Sequence, residues 1–155
     1  MTATAMTYCD YNATVPVRPA AAAAVASALD GLGNPSSVHG PGRAAWAVVE
    51  EARQAVASLA GTRTGEVVFT SGATEANNLA LRGIAGRRIV VSALEHDSVL
   101  AAADDAAIVP ALADGRVDLE ALEAALAEDR RPALISLMAA NNETGVVQPV
   151  GEAVV

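Results

Sequence analysis

The feature that most constrains the fold is a set of short apolar runs separated by longer stretches with helical periodicity. RIVVS at 88–92 and ALISLM at 133–138 are almost wholly apolar, so both faces of a strand there would be buried. Such strands belong to sheets covered by helices on both sides. The sequence therefore predicts an α/β domain with a mixed, mostly parallel sheet and helices on both faces.

The remaining elements follow from local signals. Two more strands are predicted, EVVFT at 66–70 and a short one at 107–110. The GNPSS-containing segment 32–42 is predicted to be a loop. Five helices are predicted: one after Pro19, three at 43–60, 74–82 and 97–106, and one after Asp118, which is a good N-cap. The helix at 43–60 has one apolar stripe, formed by Trp46, Val49, Ala52, Val56 and Leu59. The last residues are typical of the first turn of another helix.

Composition excludes several function classes. The net charge is −8 and all ten basic residues are arginine, so the chain contains no lysine. An acidic chain is a poor partner for nucleic acid or an anionic membrane. A single cysteine, Cys9, is interpreted as a small apolar core residue and suits a reducing cytoplasm. Ligand spacing for a metal is absent, and we expect neither a secretory signal nor a membrane span.

The stretch TSGAT at 70–74 lies where an apolar run meets a polar helix. Small residues let the backbone approach a ligand closely, and the N–H groups that begin a helix attract anions such as phosphate. The alternative is an ordinary tight turn capped by Thr74. The stretch is neither a P-loop, which needs a Gly-Lys pair, nor a three-glycine dinucleotide fingerprint.

Two other predicted strands are followed by polar residues. His96 follows RIVVS, and Asn141 and Asn142 follow ALISLM. Taken singly, a loop histidine is more often a surface or capping residue, and paired asparagines before a glycine usually form a turn. Three strand ends with polar groups together indicate a binding site at one edge of the sheet.

Six ordered blocks carry a resemblance to a known family. They are YCDYNATVPVRP, GNPSSVHGPGR, EVVFTSGATEANNLAL, EHDSV, DGRVDLEAL and NNETGVVQP. Together they resemble the cysteine desulfurases, pyridoxal-phosphate enzymes of fold type I in the class V aminotransferase group. The resemblance implies that residues 1–15 belong to the substrate side or small domain. It implies that residues 16–155 form the N-terminal part of the cofactor-binding large domain, and that both the chain and its fold are incomplete.

The resemblance also implies roles for single residues. Ala73 and Thr74 would bind the phosphate of pyridoxal 5′-phosphate, with Gly72 allowing its approach. His96 would stack on the pyridine ring and assist proton transfer. Asn142 would hydrogen-bond the phenolic oxygen and the substrate carboxylate. Two further residues, Asn12 and Ala13, would line the substrate side.

The family reaction converts L-cysteine to L-alanine and leaves a persulfide on an enzyme cysteine. It requires a Schiff-base lysine and a mobile cysteine, and this chain has neither in the expected place. The complete enzyme implied is a cytoplasmic homodimer that passes sulfur to an acceptor or scaffold protein, for iron–sulfur cluster assembly or tRNA thiolation. Alternatives are a non-catalytic binding module, or a selenocysteine lyase or other class V member.

Overall fold

A computed structural model describes residues 7–153 of the chain. The structure divides after Phe69 into two compact units. The predicted boundary between residues 15 and 16 stays a prediction, because that division groups residues by proximity and does not assign domains of the family.

Within residues 7–69, the first unit contains two α-helices and one short 3₁₀ turn. Helix α1 spans Pro19–Leu29 and helix α2 spans Gly40–Ala60, and a 3₁₀ turn covers Thr64–Glu66. Both helices were predicted, although α2 begins three residues early. Its start is set by His39, whose Nδ1 accepts the Gly42 N–H at 3.3 Å. Gly61 ends α2 in the left-handed conformation, with φ of 66°.

Little of the first unit is buried. Only Gly42 and Ala57 of α2 are buried, and Leu59 on the predicted apolar stripe is 91% exposed. The assignment of Cys9 to the core is wrong, because its side chain is exposed. Cys9 itself lies in no helix or strand, and the described residues that follow it form a turn in which the Asp10 carboxylate accepts the Ala13 N–H at 3.2 Å.

The strand predicted at 66–70 is also wrong. Val67 has extended dihedrals, but the segment pairs with no strand among residues 7–153. The Val67 carbonyl oxygen instead accepts a hydrogen bond from the Arg53 guanidinium, which lies 5.0 Å from the centre of the Phe69 ring. Apolar content identified an extended segment, but a strand also needs a partner backbone, which the sequence pattern does not supply.

The second unit is an α/β structure around a three-stranded parallel sheet. Its strands are β1 (Arg88–Ser92), β2 (Ala107–Val109) and β3 (Ala133–Ser136), in the order β2-β1-β3. Its helices are α3 (Ala73–Gly83), α4 (Asp97–Leu100), α5 (Leu119–Glu128) and α6 (Val150–Ala153). The sheet was predicted to be mixed and mostly parallel, and the described strands all pair in parallel, with β1 at the centre.

Helices cover both faces of the central strand because its neighbouring valines point in opposite directions. Val91 packs with Leu81 of α3 and Val99 of α4. Val90, which is fully buried, packs on the other face with Leu122 of α5. The predicted N-cap is also present, since the Asp118 carboxylate accepts the Ala121 N–H at 3.0 Å.

One helix is shorter than predicted. The segment 97–106 was expected to be helical throughout, but α4 ends at Leu100 and is followed by turns. The Arg82 guanidinium donates to the carbonyl oxygens of Ala101 and Ala102, which therefore do not need helical partners. A long-range side-chain contact thus replaces the last helical turns.

Candidate functional site

The amino end of α3 offers unpaired backbone donors. Within residues 7–153, the N–H groups of Ala73 and Thr74 meet no acceptor, and Gly72 provides no side-chain cap. Ser71 does have a partner, because the Glu75 carboxylate accepts both its N–H and its hydroxyl at 2.7 Å. Both hydrogen bonds lower the pKa of Glu75 below its usual value, and the bond from the Ser71 hydroxyl has the larger effect.

Space next to these donors is also open. Gly72 has an extended backbone, and a Cβ built on it would meet no other atom within 4 Å. Neither backbone strain nor packing therefore requires glycine at position 72. Thr74 is exposed on the first turn, so its hydroxyl can add to the two amides. Because α3 spans eleven residues, its dipole contributes partial positive charge at this end. This donor set fits a phosphate group.

His96 lies immediately before α4, beyond the end of β1. Its Nδ1 accepts the Ser98 N–H at 3.0 Å and lies 2.9 Å from the Ser98 hydroxyl oxygen. The predicted alternative, a capping histidine, is thus a real part of its role. The ring itself is exposed, and Nε2 meets no partner in the described part of the chain.

A hydrogen bond connects this histidine to α3. Asn77 Nδ2 on α3 donates to Ser98 Oγ at 2.8 Å. Since Asn77 lies four residues after Ala73, the histidine contact is about 6 Å along the helix axis from the unpaired amides. The structure therefore brings the α3 amino end and His96 to the same side of the second unit.

The loop after β3 is tied to the loop after β1. Asn141 Oδ1 accepts the N–H groups of Glu143 and Thr144, both at 2.9 Å, which closes the turn. Its Nδ2 donates to the Leu94 carbonyl oxygen at 3.3 Å. Asn141 is thus a structural residue, and it sets its exposed neighbour Asn142 beside the loop that carries His96.

Glu95 contributes to the same junction, and the sequence analysis missed it. Its carboxyl lies next to the Met138 amide and the Ser136 hydroxyl at the end of β3. One oxygen, Oε1, is buried without a hydrogen-bond partner in the described residues. Burial raises the pKa of Glu95 and outweighs both contacts, which lower it. A glutamate between an apolar strand and a histidine was the available signal.

The two remaining predicted residues lie in the first unit. Asn12 and Ala13 are exposed within the turn at Asp10, near the start of the described chain. Among residues 7–153 no three histidine, cysteine or acidic side chains are grouped as metal ligands. Over the same residues, none of the helices combines the length and apolar character needed to cross a bilayer.

Comparison with known proteins identifies the family. The profile of the family described as Aminotransferase class-V matches residues 7–154. The chain belongs to the class-V aminotransferase family. It is 44% identical to a cysteine desulfurase of Frankia sp. (strain EuIK1) over 92% of this chain and 39% of that protein. It is 40% identical to an IscS-like cysteine desulfurase of Mycobacterium tuberculosis over 95% of this chain and 42% of that protein.

Solved structures of other proteins share this fold. A NifS-like protein from Rickettsia africae superposes with a TM-score of 0.83 at 35% identity, over 93% of this chain and 42% of that one. DndA from Streptomyces lividans superposes with a TM-score of 0.71 at 37% identity, over 95% of this chain and 45% of that one. The predicted family and fold class are thus confirmed. The chain spans about two fifths of the length of the relatives it matches.

Proposed function

We propose that this chain forms the phosphate- and ring-binding part of a pyridoxal-phosphate site in a cysteine desulfurase. The observation that carries the proposal is the pair of unpaired amides at Ala73 and Thr74, linked through hydrogen-bonded side chains to His96. The amides and the Thr74 hydroxyl would bind the phosphate, beside Gly72. The His96 ring would lie against the pyridine ring. This arrangement uses the α3 dipole to stabilise a dianion.

The substrate side of the site rests on the loop after β3. Asn142 would reach the phenolic oxygen of the cofactor and the carboxylate of L-cysteine. Asn12 and Ala13 would line the pocket in the complete protein. The bound cofactor supplies an electron sink, while these side chains bind and orient. The products would be L-alanine and a persulfide, with the sulfur passed to an acceptor or scaffold protein.

The absence of lysine favours a second possibility for the chain by itself. The family reaction needs a lysine amine and a persulfide cysteine, and these 155 residues contain no lysine and only Cys9. We propose that the chain alone binds the cofactor without turning over cysteine. The complete protein would be a cytoplasmic homodimer that supplies sulfur for iron–sulfur clusters or tRNA thiolation.

Equilibrium binding tests the phosphate site. Titration of the chain with pyridoxal phosphate, followed by fluorescence, should show binding that inorganic phosphate competes away. Thr74→Val should weaken binding by about tenfold, the usual loss for a hydrogen bond to a charged group. The matched control is Thr64→Val, an exposed threonine of the first unit. Equal affinity of the two variants, with no competition by phosphate, would refute the site.

Two further measurements separate binding from catalysis. Because the chain has no lysine amine, borohydride reduction should leave no pyridoxyl adduct on any side chain. Sulfide release from L-cysteine should not exceed the rate with free cofactor. Sulfide production above that rate would show that the chain is catalytically competent. Reading the gene beyond the codon for Val155, for a histidine-lysine motif, decides between an enzyme and a binding module.

A further inference from the structure

Two groups of Ser98 contact one nitrogen of His96, and a third group, on Asn77, contacts Ser98. Ser98 contributes its backbone N–H at 3.0 Å and its hydroxyl oxygen at 2.9 Å from Nδ1. Asn77 contributes indirectly, through the 2.8 Å hydrogen bond from Nδ2 to Ser98 Oγ. Ser98 is 9% exposed, so water competes little for its hydroxyl. The sequence analysis assigned no role to Asn77 or Ser98.

The donors in this chain of hydrogen bonds all point the same way. A backbone N–H can only donate, so Nδ1 of His96 must be an acceptor and carry no proton. In the neutral ring the proton then sits on Nε2. The Asn77 amide donates to Ser98 Oγ, which leaves the serine hydroxyl proton free to point at Nδ1. The opposite tautomer would set the Nδ1 proton against the Ser98 N–H.

Building on the proposed function, we infer that Asn77 and Ser98 are positioning residues for His96. They hold the ring by Nδ1 and keep its neutral form as the Nε2–H tautomer, so the exposed edge presents a donor. The same link joins α3, which carries the phosphate-binding amides, to the loop that carries the ring. Asn77 and Ser98 would therefore fix the distance between the phosphate-binding amides and the His96 ring without contacting the cofactor themselves.

His39 serves as an internal control for the tautomer of His96. It also precedes a helix and accepts one backbone N–H through Nδ1, from Gly42 at 3.3 Å, but no hydroxyl from residues 7–153 joins that contact. The chain has only these two histidines. Long-range ¹H–¹⁵N NMR of the ¹⁵N-labelled chain, at about pH 8 and without cofactor, reports the tautomer of each ring, and His39→Gln assigns the signals.

Three substitutions change the link in different ways. Ser98→Ala removes the hydroxyl and should raise the Nδ1–H fraction of His96 about fivefold, as expected for the loss of one ordinary hydrogen bond. Ser98→Thr keeps a hydroxyl and should restore the ratio. Asn77→Asp replaces a donor by an acceptor, so the serine proton turns away from His96 and the Nδ1–H fraction should also rise. Signals of His39 should stay unchanged throughout.

The control for Asn77→Asp is Asn78→Asp, the same change one residue later. Asn78 Nδ2 donates to the Thr74 carbonyl oxygen at 2.9 Å and has no link to Ser98. The inference is overturned if His96 is mainly Nδ1–H in the unaltered chain, or if both aspartate variants shift the tautomer equally. Because no cofactor is present, failure of pyridoxal-phosphate binding would refute the proposed function and leave this result standing.

Discussion

The two units of the chain differ in how many apolar side chains they bury. Among residues 7–153, nine of the ten buried apolar residues lie in the second unit, around the central strand β1, and the first unit contributes only Ala57. The first unit consists of helices with strong local signals and exposed apolar side chains such as Leu29 and Leu59. Local propensity is thus enough to define helices, whereas a core needs strands that bring distant residues together.

The largest expected difference concerns two leucines on helices. Leu122→Ala in α5 empties a site that is 4% exposed, and should cost about 2–5 kcal/mol of unfolding free energy. Leu59→Ala in α2 truncates a side chain that is 91% exposed, and should change stability by less than about 0.5 kcal/mol. Urea unfolding of both variants compares them. Equal losses would mean that the first unit has a core of its own.

A buried glutamine is expected to have the next largest effect. Gln148 accepts the Val117 N–H at 2.8 Å and donates to the Gly115 carbonyl oxygen at 2.9 Å. Gln148→Leu leaves that buried N–H without a partner and should cost about 1–3 kcal/mol. In the first unit, Asn34→Leu breaks a similar bond to the Ser36 N–H, but in solvent, and should cost less than about 0.5 kcal/mol. Thermal unfolding followed by circular dichroism ranks the two.

Removing the residue before the helix should destabilise α5 by about 1 kcal/mol and leave the stability of α1 nearly unchanged. The Asp118 carboxylate caps α5, and Asp118→Ala removes that contact. Arg18 precedes α1 and provides no side-chain cap, so Arg18→Ala should be nearly neutral. Amide hydrogen exchange in the first turn of each helix is the measurement. A larger increase in exchange rate after Arg18→Ala than after Asp118→Ala would contradict the expectation.

Two glutamates should give the smallest effects, with opposite signs. Burial raises the pKa of Glu95, so the unfolded state loses its proton first and stability falls as pH rises above 4.5, until the folded-state pKa is passed. Glu95→Gln should remove this slope. The Arg63 side chain, more than Thr62 and the Arg63 N–H, lowers the pKa of Glu66 to about 2, so its contribution is lost as pH falls from 4.5 toward 2.

Unfolding free energies of Glu95→Gln and Glu66→Gln, measured from pH 2 to 8, test both signs. Glu66 is exposed, so its acid-side effect should be small and should shrink further in salt. The same dependence of unfolding free energy on pH just above 4.5 in Glu95→Gln and in the unaltered chain would contradict the burial of Glu95.

Much of the fold and part of the site could be predicted because their causes are local. The apolar runs specified β1 and β3, and the Asp118 cap specified the start of α5. Gly72, Thr74 and His96 were predicted as site residues from small or polar residues beside predicted elements, and their roles in binding stay predictions. Glu95, Asn77 and Ser98 were missed because each acquires its role from a partner elsewhere in the chain.

The sequence by itself determined the helices, the central strand and the family, since spacing and residue type act over a few neighbours. Only the tertiary structure decided that 66–70 pairs with no strand among residues 7–153, that α4 ends where Arg82 binds the following carbonyl oxygens, and that Cys9 is exposed. It also decided that Asn77 donates to the Ser98 hydroxyl beside His96. Hydrogen bonds between distant residues depend on chain geometry, which no short stretch of sequence records.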